Sequence, residues 1–259
     1  MRDNQQYVAA PEPWLDLGDV QLYHGDCREI LPALNLPEST LTVTDPPYGD
    51  TSLTWDRWVE GWADLLPGRQ AWVFGSLRMW LDKARDEFGA WKLAQDIVWE
   101  KHNGSGSTND RFRRVHEHAL HFYRGEWGDL HHEMPRMTEI RKRANRRKAT
   151  PPHWGEFREG TFQSEDDAPR LMRSVQFVRS EHGRAVHPTQ KPVGILTPLI
   201  EYSSPAGGLV LDPFAGSGST LVAARMCGRR AVGIEGRVDY LERAAERLAQ
   251  GGLFAGGAA

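Results

Sequence analysis

Gly208-Leu209-Val210-Leu211-Asp212-Pro213-Phe214-Ala215-Gly216-Ser217-Gly218-Ser219-Thr220 decides how this chain folds. An apolar run ends in an acid and a proline, a glycine turn follows, and Leu221 to Cys227 continues as an apolar, helix-like segment. A buried strand, a glycine turn and a helix N-terminus are the first unit of a doubly wound α/β sheet, whose ligand sits outside the carboxyl ends of the strands. Gly216 and Gly218 let the backbone approach that ligand closely. The next strand, Arg230 to Ile234, ends in Glu235, where an acid in such folds accepts hydrogen bonds from ribose hydroxyls; its offset from Asp212 fits the expected ~20 residues. A nicotinamide or flavin site wants G-x-G-x-x-G and no acid-Pro-Phe before it.

Far upstream, Leu41-Thr42-Val43-Thr44 reads as a strand that stops at Asp45-Pro46-Pro47-Tyr48. Neither proline donates a backbone hydrogen bond and each fixes its φ, so the strand ends stiffly at the sheet edge. The resulting slot, with a carboxylate, free carbonyls and a flat ring, suits a planar molecule carrying an exocyclic amine, such as a nucleobase. Asp45 to Tyr48 resembles the catalytic DPPY motif of the DNA amino-methyltransferases. Asp212 to Thr220 resembles the S-adenosylmethionine turn of the same family.

The catalytic motif precedes the cofactor motif here, the reverse of the usual arrangement. A circular permutation explains the order, which resembles the β class of these enzymes. Val20 to His24 as a strand, Gly25-Asp26-Cys27 as its turn and Arg28 to Leu34 as a helix agree with the join. The resemblance places Asp26 on the cofactor's adenine; an ordinary helix cap is the alternative. His187-Pro188-Thr189-Gln190-Lys191-Pro192 is similar to the family's HPTQKP-type segment, and Pro192 fits the first turn of the next helix. Thr189 and Lys191 are expected at the amino-acid end of the cofactor, and His187 as a structural hydrogen-bonder beside it. The expected cofactor set is thus Asp26, His187, Thr189, Lys191, Asp212, Phe214, Gly216, Gly218, Ser219 and Glu235.

At 259 residues with 39% hydrophobic content the chain holds one large α/β domain and an insertion. Two cysteines, Cys27 and Cys227, argue against a disulfide framework or a cysteine zinc site and fit a reducing cytosol. No apolar run approaches the ~18 residues of a membrane span, so a cytoplasmic protein is expected, and the resemblance implies a bacterial, archaeal or phage-encoded one. Ala71 to Gly75, Asp96 to Glu100 and Val115 to Tyr123 read as further strands, with Leu77 to Phe88 a helix. Residues 1–125 are then the catalytic half, 126–186 an irregular insertion, which the resemblance implies is the target-recognition region, and 187–259 the cofactor half. The formal charge is −3, yet Arg141, Lys142, Arg143, Arg146, Arg147 and Lys148 put six positive charges in eight positions. Local charge sets phosphate attraction, so this cluster is the expected contact to double-stranded DNA, with Trp127 and Trp154 near bases or sugar.

The whole reads as a Rossmann-like, circularly permuted S-adenosylmethionine-dependent methyltransferase fold, monomeric or homodimeric, acting on adenine N6 of a flipped-out base. Asp45, Pro46, Pro47 and Tyr48 form its catalytic slot, with Asp45 the sole acid, and Gly49 to Thr54 a loop closing over the base. Cytosine N4 presents the same chemistry, an acid at position 45 leaning towards adenine. A silent DNA-binding regulator on the same fold, and a protein-glutamine methylase, whose motif begins with Asn, are the remaining alternatives. His116, His118 and His121 alternate along a strand without the Cys or acids of a zinc site, and no metal is expected. Trp55, Trp58 and Trp62 stand at helical spacing and are expected to pack.

Overall fold

The computed structural model of the protein describes residues 11–105, 110, 112–133, 135–136, 171–180 and 190–255. Arg141 to Lys148, Trp154, His187 and Thr189 lie outside them. The described chain falls into two compact units, residues 1–133 with 174–259, and residues 134–173. In the second, Arg136 and Leu171 form an antiparallel bridge and the Met172 amide donates to the Pro135 carbonyl at 3.0 Å.

The large unit is built on nine strands: β1 Leu15–Asp16, β2 Val20–His24, β3 Leu41–Thr44, β4 Gln70–Gly75, β5 Lys92–Ser105, β6 Arg114–Tyr123, β7 Val175–Phe177, β8 Leu209–Asp212 and β9 Arg230–Glu235. Their order across the sheet is β1-β2-β9-β8-β3-β4-β6-β5-β7. Strands β2, β9, β8, β3 and β4 run parallel, and β6 turns antiparallel to β4. The central strands are buried on both faces, largely by apolar side chains, with Thr42 and Thr44 of β3 among the polar exceptions. Val20, Leu22, Leu41, Val43, Trp72 and Phe74 face helices α3 (Val193–Ser203), α4 (Ser219–Met226) and α5 (Val238–Ala255). Tyr23, Ala71, Val73, Leu211, Val232 and Ile234 face α1 (Cys27–Leu34) and α2 (Leu77–Glu87). Period-two alternation thus sorts each strand between two cores.

From β8 the chain crosses through α4 to β9 on one side, while from β3 it proceeds to β4 on the other. Adjacent strands β8 and β3 are therefore the switch point of the sheet, where a ligand crevice opens.

Three expectations need correction. The span of Trp55, Trp58 and Trp62 is not a helix; a single 3₁₀ turn, Ala63–Leu65, follows it. Asp56 overrides the tryptophan spacing by accepting the Gly49 and Thr51 amides at 2.8 and 2.7 Å, which folds the loop back on itself. Residues 126–186 are not irregular throughout, because Trp127–Asp129 is a 3₁₀ turn and β7 returns to pair with β5 at the sheet edge. Pro192, expected in the first turn of α3, is its N-cap, one residue ahead of that turn.

Among the described residues no helix is long and apolar enough to cross a membrane. His121 is fully buried, stacked on Trp72 at 4.3 Å, with Nε2 3.1 Å from Gln70 Oε1, while His116 and His118 lie on the opposite face of β6. No group of three His, Cys, Asp or Glu side chains that could hold a metal occurs among the described residues.

Candidate active site

A cavity of about 440 Å³ opens at the switch point. Both sequence motifs border it: Asp45 and Pro47 from one, Asp212 to Ser217 with Ser219 from the other. Asp26, Lys191 and Glu235 line it as well. One cavity therefore gathers residues as far apart in sequence as Asp26 and Glu235.

At the cofactor-motif end the site is mostly backbone. Gly216 and Gly218 have φ of +51° and +73°, which side chains rarely adopt. A Cβ on Gly218 would lie 3.1 Å from that of Ala244, so the turn needs glycine for packing as well as for conformation. Glu235 accepts the Gly216 amide at 2.8 Å and the Arg237 amide at 2.9 Å, fixing its carboxylate at the end of β9. Burial raises its pKa, and those amides pull the other way. Asp212 accepts from Thr44 Oγ1 at 2.7 Å and from the Phe214 amide at 3.1 Å. Burial nevertheless pushes it up to about 6. Ser219 Oγ accepts from Arg247 at 3.1 Å. The Phe214 ring stands edge-on to Trp62 at 5.1 Å. Asp26 caps α1 through the Arg28 amide at 2.9 Å and pairs with the Arg28 guanidinium at 2.6 Å, so it combines the helix-cap role with a place on the cavity wall.

The other end is a network of side chains. Tyr48 donates its hydroxyl to Asp45 Oδ1, and the Lys191 ammonium donates to Asp45 Oδ2. Lys191 also lies 3.1 Å from Glu117 Oε2, and Lys101 pairs with Glu117 Oε1. Lys191, expected at the cofactor's amino-acid end, lines the cavity and reaches into the slot to Asp45. It is 6% exposed and walled by the rings of Phe74 at 5.2 Å, Tyr48 at 5.8 Å and Trp99 at 5.9 Å. Nor is Asp45 the sole acid there, since Glu117 is a second. Burial pushes the Asp45 carboxyl above its usual range and Glu117 adds to this, with Lys191 opposing. For Glu117 burial also acts upward, but the flanking ammonium groups of Lys191 and Lys101 outweigh it and hold the group at about 2.

Glu117 and Lys101 carry no motif. The available signal is an acid in the middle of an otherwise apolar and histidine-bearing strand, since a buried carboxylate requires a partner. Trp55, Arg237 and Tyr240, which also line the cavity, are likewise invisible to motif reading.

The donor set suits the expected cofactor: Asp26 and Glu235 spaced along the wall, the positive-φ Gly216 at its edge, and the rings of Phe214, Trp55 and Tyr240. Residues 40–246 match the family model described as a DNA methylase of the N6/N4 type. The chain belongs to that DNA methylase family. It is 29% identical over 93% of its length to the type II methyltransferase M.ScaI of Streptomyces caespitosus, covering 84% of that protein. Among solved structures it is similar to M1.HpyAVI in complex with SAM, at TM-score 0.59 and 24% identity, covering 88% of this chain and 98% of that one. The cytosine-N4-specific PvuII DNA methyltransferase is equally similar in fold, at TM-score 0.59 and 16% identity over 88% of this methylase and 86% of that chain. The fold of this methylase is therefore the Rossmann-like fold of S-adenosylmethionine-dependent methyltransferases, with the DPPY strand β3 ahead of the glycine turn after β8.

Proposed function

We propose that this methylase transfers a methyl group from S-adenosylmethionine to the exocyclic N6 of adenine at specific sites in double-stranded DNA. One observation carries the reading: Asp45 of the DPPY motif and Gly216 and Ser217 of the glycine turn border a single cavity. S-adenosylmethionine is the cofactor and supplies, when bound, a methyl group activated by its sulfonium. Glu235 holds the ribose hydroxyls, Asp26 meets the adenine, and Asp212, Phe214 and Ser219 complete the wall.

A duplex hides the target amine, so the base is flipped into the slot at a cost of a few kcal/mol in unstacking. Tyr48 stacks on it. The amine is a weak nucleophile because its lone pair is delocalised into the ring. Donating its N–H groups to Asp45 and to the Pro46 carbonyl localises that pair, so orientation and electrostatics supply the catalysis. Residues 126–186 read the target sequence, and Arg141, Lys142, Arg143, Arg146, Arg147 and Lys148 hold the phosphates.

An acid at position 45 favours adenine, whereas the cytosine-N4-specific fold relative keeps N4 transfer as the competing outcome. Incubation with methyl-labelled S-adenosylmethionine and duplex DNA, followed by digestion to nucleosides and mass spectrometry, separates the cases. Label in N6-methyladenine is expected. Label in N4-methylcytosine reassigns the base, and no label at all removes the reading.

A further inference from the structure

We infer that Glu117 is a positioning residue for methyl transfer, the second seat to which the Lys191 ammonium pivots when a target amine takes its place on Asp45. The inference rests on the reading of Asp45 as the acceptor of that amine. Asp45 has two carboxylate oxygens, and both are occupied, Oδ1 by the Tyr48 hydroxyl and Oδ2 by Lys191. An incoming N–H donor therefore competes with an ammonium already in the donor position.

Lys191 cannot follow the displaced bond into water. It is 6% exposed behind Phe74, Trp99 and Tyr48, and a buried cation left unpaired is strongly disfavoured. Glu117 Oε2, 3.1 Å from Lys191 Nζ, offers an acceptor without leaving the pocket. Lys101 occupies the opposite oxygen, Oε1, and so turns Oε2 towards Lys191. Trp99 is the register partner of Glu117 across β5 and β6, and its ring lies 4.7 Å beneath Lys101 and 5.9 Å from Lys191. The charged and titratable groups around this centre are Asp45, Tyr48, Lys101, Glu117 and Lys191, with Asp212 and Arg114 at longer range.

The test is steady-state methylation of a DNA that the full-length wild type modifies, measured across pH, with cofactor affinity from calorimetry. In Glu117→Gln, Lys191 has no second seat and stays on Asp45. The kcat/KM for DNA is expected to fall about ten- to a hundredfold, the rate equivalent of one charge-assisted hydrogen bond. Its acid limb moves to lower pH, because Asp45 keeps the cation and loses a neighbouring anion, while cofactor affinity is unchanged. Glu117→Asp recovers part of the rate.

Lys101→Gln has the opposite sign: an uncompensated Glu117 draws Lys191 away and repels Asp45, so the acid limb moves up. A wild-type rate in Glu117→Gln overturns the inference, as does a loss with an unmoved limb or two variants shifting in the same direction. Should Glu117→Gln fail to fold, the sign in Lys101→Gln decides alone. Absence of methylation by the wild type on any DNA is a different result, and removes the proposed function instead.

Discussion

The two ends of the cavity are made of different material. At one end Gly216, Gly218 and the amides that bind Glu235 form a backbone cradle within a short stretch of chain. At the other, Asp45, Tyr48, Lys101, Glu117 and Lys191 form a side-chain ion network drawn from residues up to 146 positions apart. Backbone cradles are fixed by folding, so they suit a constant ligand. Ion networks can exchange partners, which suits a ligand that arrives, reacts and leaves. The contrast predicts that changes at the two ends separate cleanly into binding and turnover.

The largest expected effect is at the slot. Asp45→Ala leaves Lys191 on Glu117 and removes the amine's acceptor, so methyl transfer should fall by roughly a hundred- to a thousandfold, the range seen when a transition-state hydrogen-bonding group is lost. Calorimetry should find cofactor affinity nearly intact. Substantial turnover in this variant breaks the assignment of Asp45 to the base.

Glu235→Ala tests the cradle. Loss of charge-assisted hydrogen bonds to the ribose should weaken cofactor binding by about 1.5 to 3 kcal/mol per bond, with turnover at saturating cofactor much less affected. Unchanged affinity would remove Glu235 from the cofactor site and with it the sharpest local difference between the ends.

Asp212 distinguishes structural from functional charge. Burial raises its pKa from 3.8 to about 6, so its ionisation is disfavoured in the folded chain relative to the unfolded one. Stability is then full below the unfolded value and is lost as pH rises through the folded one. Asp212→Asn keeps an acceptor for Thr44 and the Phe214 amide, and should gain roughly 2 kcal/mol over wild type above pH 7 while gaining little below pH 4. Thermal melts across that range check it; a pH-independent difference would mean that Asp212 is stabilised by other means.

The cradle was legible and the network only in part, since motifs carry Asp45, Tyr48 and Lys191 but not Lys101 or Glu117, for a physical reason. Strands β3, β8 and β9 and the glycine turn announce themselves through local pattern, since alternation, prolines and positive-φ glycines act within a few residues. Lys101 and Glu117 meet only because the pairing of β5 with β6 sets Trp99 opposite Glu117, and Lys191 reaches them from beyond the insertion. Nothing near Glu117 in sequence reports those partners. The loop after Tyr48 failed differently: tryptophans at helical spacing suggested a helix, but Asp56 bound two backbone amides and local turn chemistry prevailed.

Trp55, on that loop, is where the two ends meet, and the smallest expected effect lies there. Its ring stands edge-on to Tyr240 of α5 at 6.2 Å, and both residues line the cavity. An aromatic pair of this geometry contributes about 1 kcal/mol beyond its buried area. Trp55→Ala should therefore weaken cofactor binding about fivefold, an effect reproduced by Tyr240→Ala and not enlarged in the double variant, because both remove one contact. Additive losses would show that the rings act separately. If Trp55→Ala changed only the KM for DNA, the loop would belong to the base slot alone, and the wall of the cofactor cradle would have to close through α5 without it.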